Sequence, residues 1–182
     1  GQFDRLRLGV GGHDGVGGVG AGFGMGLYAN GRMVRGAHGL AGEIGYLRLH
    51  NEKRILEDVA STRAMIREAA FSHNMSPSEI TGEMVFDWAR EGDEEAMASI
   101  EALASNLGEG LAAVCCLLNP EVIVLGGGLS KLPHLYDKLP AAVKRHLFPG
   151  VHVPPILPPR FGDAGGARGA ALLIRQHTKA ST

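Results

Sequence analysis

Two carboxylates in the sequence could bind a ligand rich in hydroxyl groups. Glu43 lies in a loop between Gly42 and Gly45, and Glu57 follows at the predicted start of a helix. Carboxylate oxygens accept hydrogen bonds from hydroxyl groups, so two of them meeting in a cleft would suit a sugar. Both also have structural explanations, because loop carboxylates are usually solvated and an acidic side chain at a helix start is favoured by the helix dipole. The spacing by itself does not make them meet.

A glycine-rich stretch near the beginning of the chain is a second candidate. Gly20-Ala21-Gly22-Phe23-Gly24-Met25-Gly26 has glycines at alternate positions, which leaves one face of an extended segment without side chains. Backbone N–H groups on such a face can approach a phosphate closely. The alternative is a hairpin packed tightly against another backbone. The G-x-G-x-x-G pattern at residues 15–20 does not predict a dinucleotide site, because the glycines that follow disfavour the required helix.

A third candidate is the run Gly126-Gly127-Gly128, which directly follows the apolar residues 122–125 and precedes a predicted helix. Ligands of open α/β sheets bind beyond the carboxyl ends of strands, so we expect these three glycines to lie beside a nucleotide. A simple tight turn is the alternative. A further glycine loop at residues 162–166 precedes the last predicted helix, where Asp163 is more simply explained as an N-cap.

The remaining composition argues against other kinds of site. The 18 Lys and Arg and 19 Asp and Glu are interspersed, so we expect no nucleic-acid face and no membrane-binding segment. The eight histidines and two cysteines contain no Cys-x-x-Cys or His-x-x-x-His pair, so no metal site is predicted, and each histidine is expected at the surface or in a loop. Cys115 and Cys116 are expected to be buried thiols in a reducing cytoplasm.

The elements that would position these residues predict one α/β domain over residues 1–182. Asn30-Gly31 between apolar runs predicts a hairpin, followed by a loop over residues 36–45 and a short strand over 47–49. Helical periodicity predicts helices over residues 59–70, 82–90 and 93–118. Residues 122–125 predict a strand buried on both faces. A helix over 135–146, an edge strand over 151–157 and a helix over 167–176 complete the α/β pattern.

Three segments together resemble the ROK family of bacterial sugar kinases and sugar-responsive repressors. They are residues 36–45 (GAHGLAGEIG), 119–130 (NPEVIVLGGGLS) and 161–171 (FGDAGGARGAA). Their order and spacing agree with the family, and the resemblance extends over about residues 16–175. It implies the carboxyl-terminal lobe of the actin-like ATPase, or ribonuclease-H-like, fold. The closing segment is most similar to the kinase branch.

The resemblance also implies roles for individual residues. Glu43 and Glu57 match glutamates that bind sugar hydroxyls, and Tyr46 stands at a histidine position of the same loop. The second phosphate loop of the family contains the positions Gly20, Ala21 and Gly22. The implied reaction is phosphorylation of a hexose or N-acetylhexosamine by ATP with Mg, and the implied assembly is a homodimer.

Departures from the family pattern qualify this expectation. The family's amino-terminal lobe, with its Asp-x-Gly-Gly-Thr loop and catalytic aspartate, has no counterpart in the chain. We therefore expect the chain alone to be unable to phosphorylate a sugar. Tyr46 and residues 51–54 replace the histidine and cysteines of the family's zinc module, so no zinc is expected. Ala21 replaces a threonine that would donate a hydrogen bond to phosphate.

These departures leave two alternatives open. Tyr46, Ala21 and the lost zinc module would also suit the sugar-sensing effector domain of a ROK transcriptional regulator. An assembly domain is the other alternative, in which the long helix predicted over residues 93–118 pairs with a second copy.

Overall fold

A five-stranded mixed sheet organises the described part of the chain, which in the computed structural model comprises residues 6–12, 23–50 and 53–160. The strands are β1 (Arg7–Gly12), β2 (Phe23–Ala29), β3 (Arg32–Val34), β4 (Val122–Gly126) and β5 (Ile156–Leu157). Their order across the sheet is β3-β2-β1-β4-β5. β2 runs antiparallel to β1 and β3, whereas β1, β4 and β5 are parallel. The sheet and its helices confirm the predicted α/β class.

The β2–β3 hairpin turns at the predicted residues. Asn30 and Gly31 have φ of 52° and 77°, the positive values that a two-residue hairpin turn requires. Along β2 the large apolar side chains are buried and alternate with Gly24 and Gly26. The register places Gly24 opposite Gly11, which in turn lies opposite Gly126. One face of the sheet therefore has a row of positions without side chains, as the alternating glycines predicted.

Five α-helices and three short 3-10 helices lie among the described residues, and the α-helices are α1 (Leu56–Val59), α2 (Thr62–Ser72), α3 (Gly82–Arg90), α4 (Glu94–Leu118) and α5 (Pro133–Lys144). α4 is the central core helix. Asp93 caps it by accepting a 2.7 Å hydrogen bond from the Ala96 N–H, and Asn119 ends it with φ of 44°. Of the described helices, α4 is long and apolar enough to cross a membrane, but 56% of its apolar window is buried inside the fold, as in a core helix.

Some predicted boundaries were wrong. The helix predicted over residues 59–70 begins only at Thr62, because Ser61 is extended and its hydroxyl caps α2 by accepting from the Ala64 N–H at 3.2 Å, and Val59 instead ends the separate helix α1. The strand predicted over 47–49 is a single bridge between Arg48 and Ile55. The strand predicted over 151–157 shortens to β5, because prolines 154 and 155 lack the N–H that a ladder needs. Its predicted edge position is confirmed.

Two burial predictions were also wrong. β4 buries Ile123 and Leu125 completely, but Val122 and Val124 on its other face are only partly buried. Cys115 is buried and Cys116 is exposed, since successive residues of a helix point in different directions. The predicted loop at residues 162–166 and helix over 167–176 lie outside the described residues.

Candidate functional site

The candidate site lies at the end of the sheet where β1 and β4 finish and β2 begins, and this end, not an outer strand, is the edge that the site residues share. The register pairs Gly12 with Phe23 and Gly11 with Gly126. Because β1 and β4 are parallel, their carboxyl ends meet at this edge, which is where open α/β sheets bind ligands. The predicted phosphate-loop residues Gly20, Ala21 and Gly22 come directly before β2 in the sequence and lie outside the described residues.

Glu57 reaches this edge from the first turn of α1. Its Oε2 accepts a 3.1 Å hydrogen bond from the Phe23 N–H, and Arg63 Nη2 lies 3.9 Å from its Oε1. The side chain is 26% exposed. A carboxylate that accepts a backbone N–H bond is held in one orientation, and it retains lone pairs for further donors. Glu57 is therefore both a structural support for the start of β2 and an accessible acceptor.

The loop before α1 packs directly against the first residues of β2, on the side where β3 does not reach them. The Met25 N–H donates a 2.8 Å hydrogen bond to the Gly42 carbonyl. A Cβ at Gly42 would lie 1.8 Å from the Met25 carbonyl oxygen, and a Cβ at Gly45 would lie 2.2 Å from that of Phe23 and 3.2 Å from Glu57 Oε2. These two glycines are needed because backbone meets backbone. Their close approach carries the loop to the same edge as Glu57.

Glu43 and Tyr46 lie on either side of Gly45 in this loop. Glu43 precedes the short 3-10 helix Ile44–Tyr46 but makes no side-chain hydrogen bond to it. Both side chains are exposed, Tyr46 by 70%. No hydrogen bond or ion pair joins Glu43 to Glu57 among the described contacts, so the structure brings the two carboxylates to one edge without direct contact.

Gly126 ends β4, and Gly127 and Gly128 begin the short 3-10 helix Gly127–Lys131. Gly127 has φ of 58°, and its carbonyl accepts a 2.7 Å hydrogen bond from the Ser130 hydroxyl. A Cβ at Gly128 would lie 2.9 Å from Thr62 Oγ1 at the start of α2. That hydroxyl is buried and makes no hydrogen bond within the described part of the chain. The glycines allow the start of this 3-10 helix to lie against α2.

The backbone at this edge suits a nucleotide. Gly11, Gly24 and Gly126 leave the carboxyl end of the sheet without side chains, so a phosphate or ribose would be able to approach the main chain. Among the described residues, no group of three or more His, Cys, Asp or Glu side chains could hold a metal ion. The expectation of no zinc stays a prediction.

Sequence reasoning missed two residues of this edge, Thr62 and Arg63. Both lie in the first turn of α2, which begins at Thr62 and not at Val59 as predicted. The available signal was the N-cap itself, because serine is a favoured residue just before the first turn of a helix.

Comparison with known proteins agrees with the motifs. Residues 16–177 match the sequence model of the ROK family. The chain is 31% identical over 175 residues to the N-acetyl-D-glucosamine kinase of Histophilus somni, covering 86% of this chain and 56% of that protein. It is 34% identical over 173 residues to the corresponding kinase of Pectobacterium carotovorum, covering 85% and 56%. The chain thus spans little more than half the length of these curated relatives.

Solved structures show the same relationship. A ROK family glucokinase from Streptomyces griseus, in complex with glucose and AMPPNP, superposes with a TM-score of 0.79 at 27% identity, covering 94% of this chain and 61% of that one. A ROK family protein from Streptococcus pneumoniae in complex with sucrose gives a TM-score of 0.81 at 27% identity, covering 97% and 60%. The predicted fold, a carboxyl-terminal lobe of the actin-like ATPase type, is confirmed. The chain belongs to the ROK family.

Proposed function

We propose that this chain is the carboxyl-terminal domain of a ROK sugar kinase, and that it supplies half of a sugar cleft and part of a nucleotide site. The observation that carries the proposal is the convergence of Glu57, the Glu43 loop and residues 126–128 at one edge of the sheet. In this proposal residues 1–182 act as one domain. An amino-terminal lobe provides the base that accepts the proton of the sugar hydroxyl.

Sugar binding falls to the exposed carboxylates. Glu57 is oriented by the Phe23 N–H, and Glu43 has no competing contact with the short helix that follows it. Both offer oxygens to the hydroxyl groups of a hexose or N-acetylhexosamine. Tyr46, largely exposed beside them, offers an aromatic face and a hydroxyl group to the same ligand. The two kinases compared above act on N-acetyl-D-glucosamine, which makes an N-acetylhexosamine the first substrate to test.

Nucleotide binding falls to the glycine backbone. In this proposal Gly20, Ala21 and Gly22 approach the phosphates, and Gly126, Gly127 and Gly128 lie beside the nucleoside. ATP with Mg supplies the phosphoryl group when bound. The chain's own contribution is to position the nucleotide and the sugar toward each other, which is most of what phosphoryl transfer asks of a protein. Ala21 has no hydroxyl to donate to phosphate, so we expect weak nucleotide affinity.

The kinase branch is favoured over the regulator branch by the two curated relatives named above, which are N-acetyl-D-glucosamine kinases. A ROK family transcriptional regulator also superposes on the chain, but at 24% identity this likeness concerns the fold alone. A kinase assay of the complete protein with N-acetylglucosamine and ATP, in which ADP release is measured by a coupled reaction, distinguishes a kinase from a regulator. Sugar binding without ADP release would favour the sensing domain.

The remaining proposals concern the setting of the protein. The free thiols Cys115 and Cys116 and the balanced charge favour a cytoplasmic protein that binds neither membranes nor nucleic acid through this segment. A homodimer through α4 is supported by Leu117, a large apolar side chain at the end of that helix that is 79% exposed. Sedimentation of the protein across a concentration series tests the dimer.

Calorimetry on the sugar site tests the proposed function directly. We expect N-acetylglucosamine or glucose to bind, and Glu43→Ala and Glu57→Gln each to weaken binding about 10- to 100-fold, as for the loss of a hydrogen bond to a charged group. Glu57→Gln keeps an oxygen for the Phe23 N–H, so it removes the charge with little change in packing. Glu121→Gln is the matched control, because Glu121 pairs with Arg7 at the other end of the sheet, where β1 and β4 begin. No heat with any hexose, or equal weakening by the control, would remove the proposal.

A further inference from the structure

His73 joins three helices at the end of α2 that lies away from Thr62. Its Nδ1 lies 2.8 Å from the Ala69 carbonyl oxygen in α2, and its Nε2 lies 2.9 Å from Asp93 Oδ2 at the start of α4. Its ring stacks on the indole of Trp88 in α3, with ring centroids 4.6 Å apart and planes 22° apart. The side chain is only 20% exposed. A single imidazole therefore contacts α2, α3 and α4 at once.

Both hydrogen-bond partners of the ring are acceptors. A carbonyl and a carboxylate have no proton to give, whereas a neutral imidazole has one N–H and one lone pair. Only the doubly protonated ring donates to both Ala69 and Asp93. The charged groups that act on the ring are Asp93 and Glu95, both acidic and both from α4, while α3 contributes the neutral indole of Trp88. Burial of the ring works against the charge, but the hydrogen bond to Asp93 is the larger effect and favours the cation.

We propose that His73, Asp93 and Trp88 form a pH-sensitive latch that fastens the end of α2 to the start of α4 while the imidazole is protonated. When the proton leaves to solvent, one ring nitrogen presents a lone pair to an oxygen less than 3 Å away, and one of the two hydrogen bonds is lost. Asp93 keeps its own hydrogen bond from the Ala96 N–H, so the cap of α4 remains when the latch opens.

The direction of the pH dependence follows from the two partners. The hydrogen bond to Asp93 raises the pKa of His73 above its ordinary 6.5. The latch therefore stabilises the fold fully below pH 6.5, and its contribution is lost as pH rises through the higher folded-state pKa. The bonds from the Ala96 N–H and His73 lower the pKa of Asp93 below 3.8, so the carboxylate's contribution is lost only in stronger acid. The latch is closed between these limits.

The latch and the candidate site lie at opposite ends of one helix. α2 begins at Thr62, whose hydroxyl faces Gly128, and ends beside His73. Its 11 residues span about 16 Å. Opening the latch removes the His73–Asp93 link between α2 and α4, so the inference concerns how firmly a helix that also borders the site is held. It does not depend on the proposed kinase function.

Fluorescence gives the direct test, because Trp88 is the protein's one tryptophan and stacks on the ring that titrates. We expect its emission to change with a single inflection above pH 6.5 in the wild type. The inflection is absent in His73→Gln. In Asp93→Ser, which keeps an N-capping oxygen but removes the charge, it shifts to lower pH. A flat wild-type profile between about pH 5.5 and 9, or an inflection that survives His73→Gln, overturns the latch.

Thermal unfolding separates the latch from ordinary packing. We expect His73→Gln to lower Tm by about 2–4 °C at low pH, the scale of one lost hydrogen bond in a chain of this size, with the difference shrinking as pH rises toward about 9. His134→Gln is the matched control, because His134 stacks on Phe86 with Asp137 4.0 Å away and takes no part in the latch. Its effect on Tm should not follow the same curve. A His73→Gln deficit of equal size at every pH would show packing alone and refute the proposal.

Discussion

Replacing Gly42 by alanine tests whether the sugar loop depends on direct contact with β2. A Cβ at this position would lie 1.8 Å from the Met25 carbonyl oxygen and 2.9 Å from its carbonyl carbon. Neither atom can move independently, because Met25 is paired with Val10 within the sheet. Gly42 also has φ of 101°, which an alanine rarely adopts. We therefore expect the loop, and not the strand, to move.

The cost has separable parts. Positive φ in a residue with a side chain costs roughly 1–2 kcal/mol. Overpacking adds about 1–3 kcal/mol. If the loop detaches to avoid the clash, the 2.8 Å bond from the Met25 N–H to Gly42 is lost instead, at about 1 kcal/mol. Gly39→Ala is the matched control, because Gly39 lies in the same loop with φ of 74° but has no atom within 4 Å of an added Cβ. It isolates the backbone strain.

Urea unfolding of the two variants measures the difference. We expect Gly39→Ala to lose about 1–2 kcal/mol and Gly42→Ala to lose at least about 1 kcal/mol more, because only the second adds a contact with the strand. Hydrogen exchange at the Met25 amide should accelerate in Gly42→Ala and remain protected in Gly39→Ala. Equal destabilisation by the two, or a protected Met25 amide in Gly42→Ala, would refute the close approach of loop and strand.

Further predictions concern α4. Gly108→Ala should destabilise the protein by about 1–3 kcal/mol, because an added Cβ would lie 2.5–2.7 Å from atoms of α5 that include its backbone. The better helix propensity of alanine offsets up to about 1 kcal/mol of this loss. Gly110→Ala should cost less, since its closest neighbours are movable methyl groups of Leu56; urea unfolding that ranks the two the other way would contradict this. Burial raises the pKa of Cys115 to about 11, whereas Cys116 is exposed. The thiolate is the reactive form, so iodoacetamide near pH 8 should add one label to the native protein and two labels to the unfolded protein. Intact-mass spectrometry counts the labels, and two labels on the native protein would contradict the burial of Cys115.

Much of the architecture follows from local patterns. The β2–β3 turn was predictable because Asn-Gly tolerates the positive φ of a hairpin turn, and the glycine row was predictable because side chains alternate along a strand. α4 was predictable from its long apolar periodicity and its Asp93 cap. The family motifs carried more than any of these, because three ordered segments jointly specify a fold that isolated glycine runs do not.

The errors have a common origin in competition between local signals. A serine cap starts α2 at Thr62 and not at Val59 as predicted, and that start sets the positions of Thr62 and Arg63 at the site. Residues 47–49 have strand-like composition but find a partner at only one position, Arg48. Strand pairing depends on what lies alongside, which a short apolar run does not specify.

By itself the sequence determined the α/β class, the glycine-rich backbone and the family, because these depend on residue type, order and local conformation. Only the tertiary structure decided which carboxylate is hydrogen-bonded to the backbone where β2 begins. Glu57 accepts from Phe23, and the close approach of Gly42 and Gly45 to β2 brings the Glu43 loop beside it. His73, one of eight scattered histidines expected at the surface or in loops, likewise became a three-helix contact through folding. Such contacts join residues far apart in the chain, so their distances depend on the packing of whole elements and not on any local pattern.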